Sequence, residues 1–126
     1  MNGSNLTVEN GIAKTFFKNG VLATEAEVDE NGLSNGLSKV YLKNGQLRAI
    51  GKNVKGKMDG EWKWYREDGK LWSIGNFKLG SREGKWIRYE KDGSLYDEKN
   101  FKDDKEFGEY KRFDKAGNVI KSKIFK

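Results

Sequence analysis

The sequence predicts an all-β fold: an elongated, single twisted antiparallel sheet built from five consecutive β-hairpin repeats. Three observations predict it. A pattern of glycine, aromatic and aliphatic residues recurs five times along the 126-residue chain. Asn-Gly or Asp-Gly stands at the middle of four of the five copies. The chain has no proline, so every ladder N–H stays available, and no segment carries a helical period of apolar residues.

Gly11, Gly36, Gly60, Gly84 and Gly108 open the copies, at intervals of 25, 24, 24 and 24 residues. They divide one domain, 11–126, into units 11–35, 36–59, 60–83, 84–107 and 108–126, preceded by a lead-in segment, 1–10. Nine residues after each opening glycine comes a second: Gly20, Gly45, Gly69, Gly93 and Gly117. Five residues after the opening glycine lies an aromatic (Phe16, Tyr41, Tyr65, Tyr89, Phe113), and eleven after it an aliphatic (Leu22, Leu47, Leu71, Leu95, Val119). Fixed periods of this kind are the signature of repeat architectures.

Each copy reads as a hairpin whose turn contains the second glycine, because Asn, Asp and Gly adopt positive φ at low cost. A two-residue turn at Asp68-Gly69 would pair Tyr65 with Trp72. A three-residue loop with a left-handed Gly69 and a bulge would pair Tyr65 with Leu71. The second is preferred, because it sets the two most regular columns opposite each other in all five copies, and cross-strand aromatic–aliphatic pairs stabilise sheets. One face then carries the Tyr/Phe and Leu/Val pairs and reads as structural. The other is particular to copies three and four, with Trp62, Trp64, Trp72 and Ile74, then Trp86 and Tyr96.

Composition narrows the chemistry. The chain has no cysteine and no histidine, which excludes disulfides, thiolate nucleophiles, histidine triads and sulfur-ligated metals. No cofactor or metal site is expected. Asp97-Glu98, and Asp103-Asp104 with Glu106, are the carboxylate clusters. They lack calcium-loop spacing, and Asp103–Glu106 reads as a solvated inter-hairpin loop. No apolar run approaches a membrane span, and no basic segment followed by an apolar stretch opens the chain. The cytoplasm is the favoured compartment, an exported form with a trimmed signal the alternative. Hydrophobic residues make up only 35% of the chain, but aromatics make up 13%, enough for a thin core.

The pattern Gly-x-Trp-x-x-Tyr-x-x-Asp-Gly-x-Leu of the third copy, followed by Ile74-Gly75-Asn76-Phe77-Lys78-Leu79-Gly80, resembles the MORN repeat family in its bacterial variant of roughly 24-residue units. The resemblance spans Gly11 to Phe125. Copy two departs at Lys52-Asn53-Val54, where Asn53 or Val54 stands for the expected Phe. The resemblance implies consecutive hairpins in one sheet, and binding rather than catalysis. For bacterial members it implies antitoxin or immunity proteins that neutralise a partner toxin.

The candidate partner-binding residues are Trp62, Trp64, Trp72, Trp86 and Tyr96, with Arg66 and Arg88, since Trp, Tyr and Arg are the usual interface anchors. The same aromatics also read as a core, the only bulk a single-layer sheet has to bury. Net charge is +6 but uneven: −3 over 1–35, +5 over 36–59, +1 over 60–83, −1 over 84–107 and +4 over 108–126. Lys39, Lys43, Arg48, Lys52, Lys55 and Lys57 form a basic band. The expected function is a non-enzymatic protein-interaction module, with a peripheral membrane or cell-envelope scaffold using the basic bands as the alternative. Nucleic acid is disfavoured for want of a recognised motif, and exposed end strands permit an end-to-end homodimer.

Overall fold

The computed structural model describes residues 6–126, and their regular structure is entirely β. Strand β1 (Thr7–Glu9) leads into hairpin β2 (Ile12–Phe16)–β3 (Leu22–Val28). Hairpins β4 (Ser34–Tyr41)–β5 (Leu47–Val54) and β6 (Lys57–Tyr65)–β7 (Leu71–Lys78) follow. The short β8 (Ser81–Arg82) precedes β9 (Gly84–Tyr89)–β10 (Leu95–Lys102). The short β11 (Lys105–Glu106) precedes β12 (Gly108–Phe113)–β13 (Val119–Phe125). All belong to one open antiparallel sheet in which each long strand bonds its neighbours in sequence, leaving β1 and β13 as edges. The lead-in segment is therefore partly sheet: Thr7 to Glu9 pair with Lys14 to Ile12. Residues 1–5 of that segment lie outside the described residues.

The hairpin turns follow the three-residue expectation. Tyr65 lies opposite Leu71, and Phe16–Leu22, Tyr41–Leu47, Tyr89–Leu95 and Phe113–Val119 repeat that register, each beside a bulge. Arg66 and Lys70 close the loop through the Arg66 N–H and the Lys70 carbonyl at 2.8 Å, and Gly69 sits at φ +89°. Asp68 accepts the Lys70 N–H at 2.9 Å, as Asn19, Asn44 and Asp92 do in their own turns. Ala116 cannot accept such a bond. In that copy Asp114, two residues earlier, takes the N–H groups of Ala116 and Asn118 instead.

The opening glycines do a different job. Gly36, Gly60, Gly84 and Gly108 all have positive φ and mark bulges between hairpins. Gly51 opposes Trp62, but the next pair is Lys52 with Asp59, so Gly60 and Glu61 are extra residues on β6. Beyond each bulge, two-residue turns at Lys55-Gly56, Leu79-Gly80 and Asp103-Asp104 have positive φ at both positions. These turns stack on the preceding repeat. Gly56, Gly80 and Asp104 donate their N–H groups to the carbonyls of Ser34, Met58 and Arg82 at 2.7–3.0 Å. The side chains of Asn35, Asp59 and Glu83 accept the N–H groups of Lys55, Leu79 and Asp103 at 3.0–3.1 Å. A hydrogen-bonded ladder along one long edge thus joins repeat to repeat, which is where repeat proteins derive their cooperativity.

The bulge at the hairpin turn corrects one face assignment. Ile74 pairs with Lys63 and Ile87, in alternation with Ser73 and Gly75, so it lies on the face of Tyr65 and Leu71, not with the tryptophans. Trp72 is the extra residue of the bulge, so the in–out alternation resumes one position later than a regular strand would give. In copy two Asn53, opposite Gly36, takes the column that Phe77 occupies opposite Gly60. Its Nδ2 donates to Ser38 Oγ at 2.8 Å.

The core is one-sided. Among the described residues, Ser38, Ala49, Trp62, Ser73, Asp97 and Phe101 are the buried side chains, and all lie on the tryptophan face. The regular Tyr/Leu pairs of the other face are only half-buried. Rings laid flat across the sheet cover their neighbours, whereas an upright cross-strand pair covers little beyond itself.

Candidate binding surface

The tryptophan face is organised by two glycines. Gly51 lies directly opposite Trp62, and a Cβ on it would stand 2.1 Å from the indole. Gly75 hosts Trp86 in the same way, with the ring 2.4 Å from a Cβ. Each indole is then pinned by its N–H. Trp62 Nε1 donates to the Lys52 carbonyl at 2.9 Å, and Trp86 Nε1 to the Asn76 carbonyl at 3.0 Å. The acceptor is in each case the residue after the glycine. From this base the aromatics continue across strands: Trp64 stacks on Trp86 at 5.4 Å, Phe77 meets Trp86 edge-on at 5.1 Å, and Trp86 meets Phe101 at 5.7 Å. Such pairs add about 0.5–1.5 kcal/mol each beyond burial.

Copy four adds a polar lock. Arg88 Nε and Nη2 donate to Asp97 Oδ1 and Oδ2 at 3.0 and 2.6 Å, and the Tyr110 hydroxyl donates to Oδ2 at 3.0 Å. Asp97 is 1% exposed and joins β9, β10 and β12 through these contacts. Its hydrogen bond to Arg88 raises the guanidinium above its ordinary value. The Tyr110 phenol is also raised, first by burial and then by the bond it donates to Asp97. The fold therefore favours the neutral phenol. That contribution is complete below the ordinary tyrosine value near about 10 and is lost as pH rises through the higher folded value. Tyr110→Phe is expected to cost about 1 kcal/mol at neutral pH. It should also flatten the alkaline loss of stability above about pH 10, read by urea unfolding across that range.

The expected binding residues fall into different roles. Trp62 is buried and Trp64, Trp86 and Tyr96 are half-buried, whereas Trp72 is 42% exposed. Arg66 stands 5.7 Å from the Trp72 ring and donates Nη2 to the Tyr89 carbonyl at 2.9 Å. Tyr96 is flanked by Arg88 at 5.4 Å and Arg112 at 4.9 Å. A cleft of about 380 Å³ opens among Arg48, Trp64, Trp72, Trp86 and Arg88, with Asp97 at its floor. The basic band does not form one patch. Lys39 and Lys52 lie on the regular face opposite Ile50 and Leu37, and Lys43 lies in a hairpin turn. Lys55 and Lys57 lie at the other long edge, and Arg48 alone reaches the cleft. Phe77, Phe101, Asp97 and Arg112 complete the site without having been singled out in the sequence for binding. Phe77 and Phe101 share a column seventeen residues after the opening glycines, a period that marks them. The Asp97–Arg88–Tyr110 lock is non-periodic and carries no such mark.

No curated protein matches the chain. Among solved structures, S. aureus TarM, in a mutant form complexed with Fondaparinux, alpha-GlcNAc-glycerol and UDP, superposes with a TM-score of 0.52 at 12% identity. A second TarM structure gives 0.51 at 11%. Both cover 84% of this chain but only 21% of TarM, so the likeness is one of fold, and the chain spans about a fifth of that protein's length. The MORN repeat variant pattern matches residues 9–32, 58–79 and 82–103, which lie in copies one, three and four and make up more than half of the chain. With the repeat register, the turn geometry and the single sheet of hairpins, this makes the chain a member of the MORN repeat family in its variant form, a repeat-based binding fold.

Proposed function

We propose that the protein is a non-enzymatic protein-interaction module whose recognition surface is the tryptophan face of copies three to five, and that it acts as an immunity or antitoxin protein does, by occupying its partner. The observation that carries the reading is Trp72. A ring of that size held 42% exposed beside a cleft, on a face otherwise committed to packing, has no structural task of its own. The dispersal of the basic band over both faces and both long edges gives the membrane-scaffold alternative less support.

A photo-crosslinking residue placed at Trp72, with the same residue at Lys63 on the opposite face as control, tests this in cells of the source organism. A discrete protein adduct at position 72 and not at 63 is expected. Equal labelling at both positions, or none at 72, would reject the assignment of the face. For the neutralising role, co-expression should relieve the toxicity of the captured partner, and Trp72→Ala should abolish that relief.

A further inference from the structure

We infer that the occupant of this face is an acidic, partly apolar segment of a partner protein, its carboxylates met by Arg48, Arg66 and Arg112 and its apolar side chains resting on Trp72. The inference rests on the reading of the tryptophan face as the recognition surface and adds the chemistry of what it recognises.

The charge of the two faces is partitioned. On the regular face most lysines, Lys39 excepted, have cross-strand or same-strand carboxylates: Lys14–Glu25, Lys63–Glu61, Lys85–Glu98 and Lys111–Glu109, at 3.2–3.9 Å. That face neutralises most of its own charge. On the tryptophan face Asp97 is sealed beneath Arg88, and Glu106 takes Lys99. Among the described residues, no carboxylate lies within ion-pair distance of Arg48, Arg66 or Arg112. Arginine is concentrated on the tryptophan face, where Lys99, Lys121 and Lys123 stand beside it. The chain has five arginines against twenty lysines. Arg48, Arg82, Arg88 and Lys99 line the cleft, Arg82 paired with Asp104, and Arg66 and Arg112 stand against the rings of Trp72 and Tyr96. Lysine serves a solvated surface equally well. A guanidinium suits carboxylate recognition, and stacking on a ring holds it in place before the partner arrives. Among the described residues Arg48 is free of such ties, whereas Arg66 and Arg112 have buried Nε atoms and Arg66 Nη2 is bonded to the Tyr89 carbonyl, so these two offer their remaining terminal N–H groups.

The same stacking argues against a nucleic acid strand. Single strands bind such sheets by laying bases on open aromatic faces. Here Tyr96 is flanked by Arg88 and Arg112, Trp64 is stacked on Trp86, and Arg66 stands over Trp72. The exposed indole on this face is that of Trp72, an apolar anchor with Arg66 beside it.

The test uses three probes: a fluorescein-labelled oligoglutamate with interspersed leucines, an oligothymidylate of equal charge, and phosphatidylserine vesicles. Two charge-matched triple variants are compared, Arg48→Gln/Arg66→Gln/Arg112→Gln and Lys14→Gln/Lys63→Gln/Lys111→Gln. The arginine triple is expected to weaken the peptide by about tenfold or more, and the lysine triple by less than about twofold. Arg→Lys at the same three positions, which keeps charge and solubility, should still lose several-fold. Equal weakening by both Gln triples, wild-type binding by the Arg→Lys variant, no peptide binding, or tighter capture of the oligothymidylate or the vesicles would each overturn the inference. A position-72 adduct without arginine-dependent peptide binding would reject the acidic chemistry and leave the recognition face standing.

Discussion

Gly51→Ala is expected to destabilise the protein by about 3 kcal/mol, lowering the melting temperature on the order of 10 °C. The backbone at Gly51 is ordinary extended strand, so the methyl group costs nothing in φ. Its cost is the indole. A Cβ there would stand 2.1, 2.3 and 2.4 Å from Trp62 Cδ2, Cε2 and Cγ, and Trp62 is 4% exposed with its N–H committed to the next carbonyl. A ring system cannot yield by a rotamer adjustment at its tip. It must lift, losing both its packing and its hydrogen bond. Since whole domains are stable by only about 5–15 kcal/mol, this one methyl consumes a large share. Gly75→Ala should behave alike through Trp86. Thermal melts of both variants check this, and a double variant Gly51→Ala/Trp62→Ala should lose much less than the sum of the singles, because the collision is then gone. Additive losses would show that the glycine matters for some reason other than the ring.

Asp97→Ala is the second large effect, at about 3 kcal/mol. The carboxylate is the most enclosed side chain of the described residues and accepts three hydrogen bonds from two partners. Removing it leaves the Tyr110 hydroxyl half-buried and unpaired. Arg88 suffers less, since its side chain is 44% exposed and water can replace the carboxylate. Arg88→Ala should therefore cost visibly more than its own exposure suggests, because it strands Asp97, and Arg88→Ala with Asp97→Ala together should cost less than the sum. Asp97→Asn keeps the shape and should fall between wild type and alanine. Denaturant unfolding of the four proteins measures this, and an Asp97→Ala loss under about 1 kcal/mol would contradict a lock across three strands.

These two devices show why part of the molecule was legible in the sequence and part was not. The five hairpins, their register and the left-handed turn glycines were readable, since each rests on local chemistry repeated five times. Asp68-Gly69 selects a turn, the turn selects a bulge, and the bulge sets Tyr65 against Leu71. The face of Ile74 was misplaced because a second bulge, at Trp72 beyond the Tyr65–Leu71 pair, shifts the alternation, and the Asp-Gly turn carries no sign of it. The purpose of Gly51 and Gly75 was missed because it lies in another strand, although a spacing of eleven residues from each glycine to Trp62 and Trp86 encodes it. The Asp97 lock was beyond reach for a different reason. It occurs once, and a repeat reading averages away what is particular to one copy. Binding specificity in repeat proteins resides in such particulars, here the replacement of Thr15 and Val40 by Trp64, Arg88 and Arg112 along one column.

The division of labour between the faces depends on the sheet having no second layer. Small-angle scattering of the monomer tests that most directly. Eleven successive strands in the bonded path, at about 4.8 Å each, make a sheet roughly 50 Å long with a radius of gyration of about 17 Å. That value is the expected result. A value near about 14 Å, that of a compact globule of this length, would mean the sheet folds back on itself, with the tryptophan face buried inside rather than open to a partner.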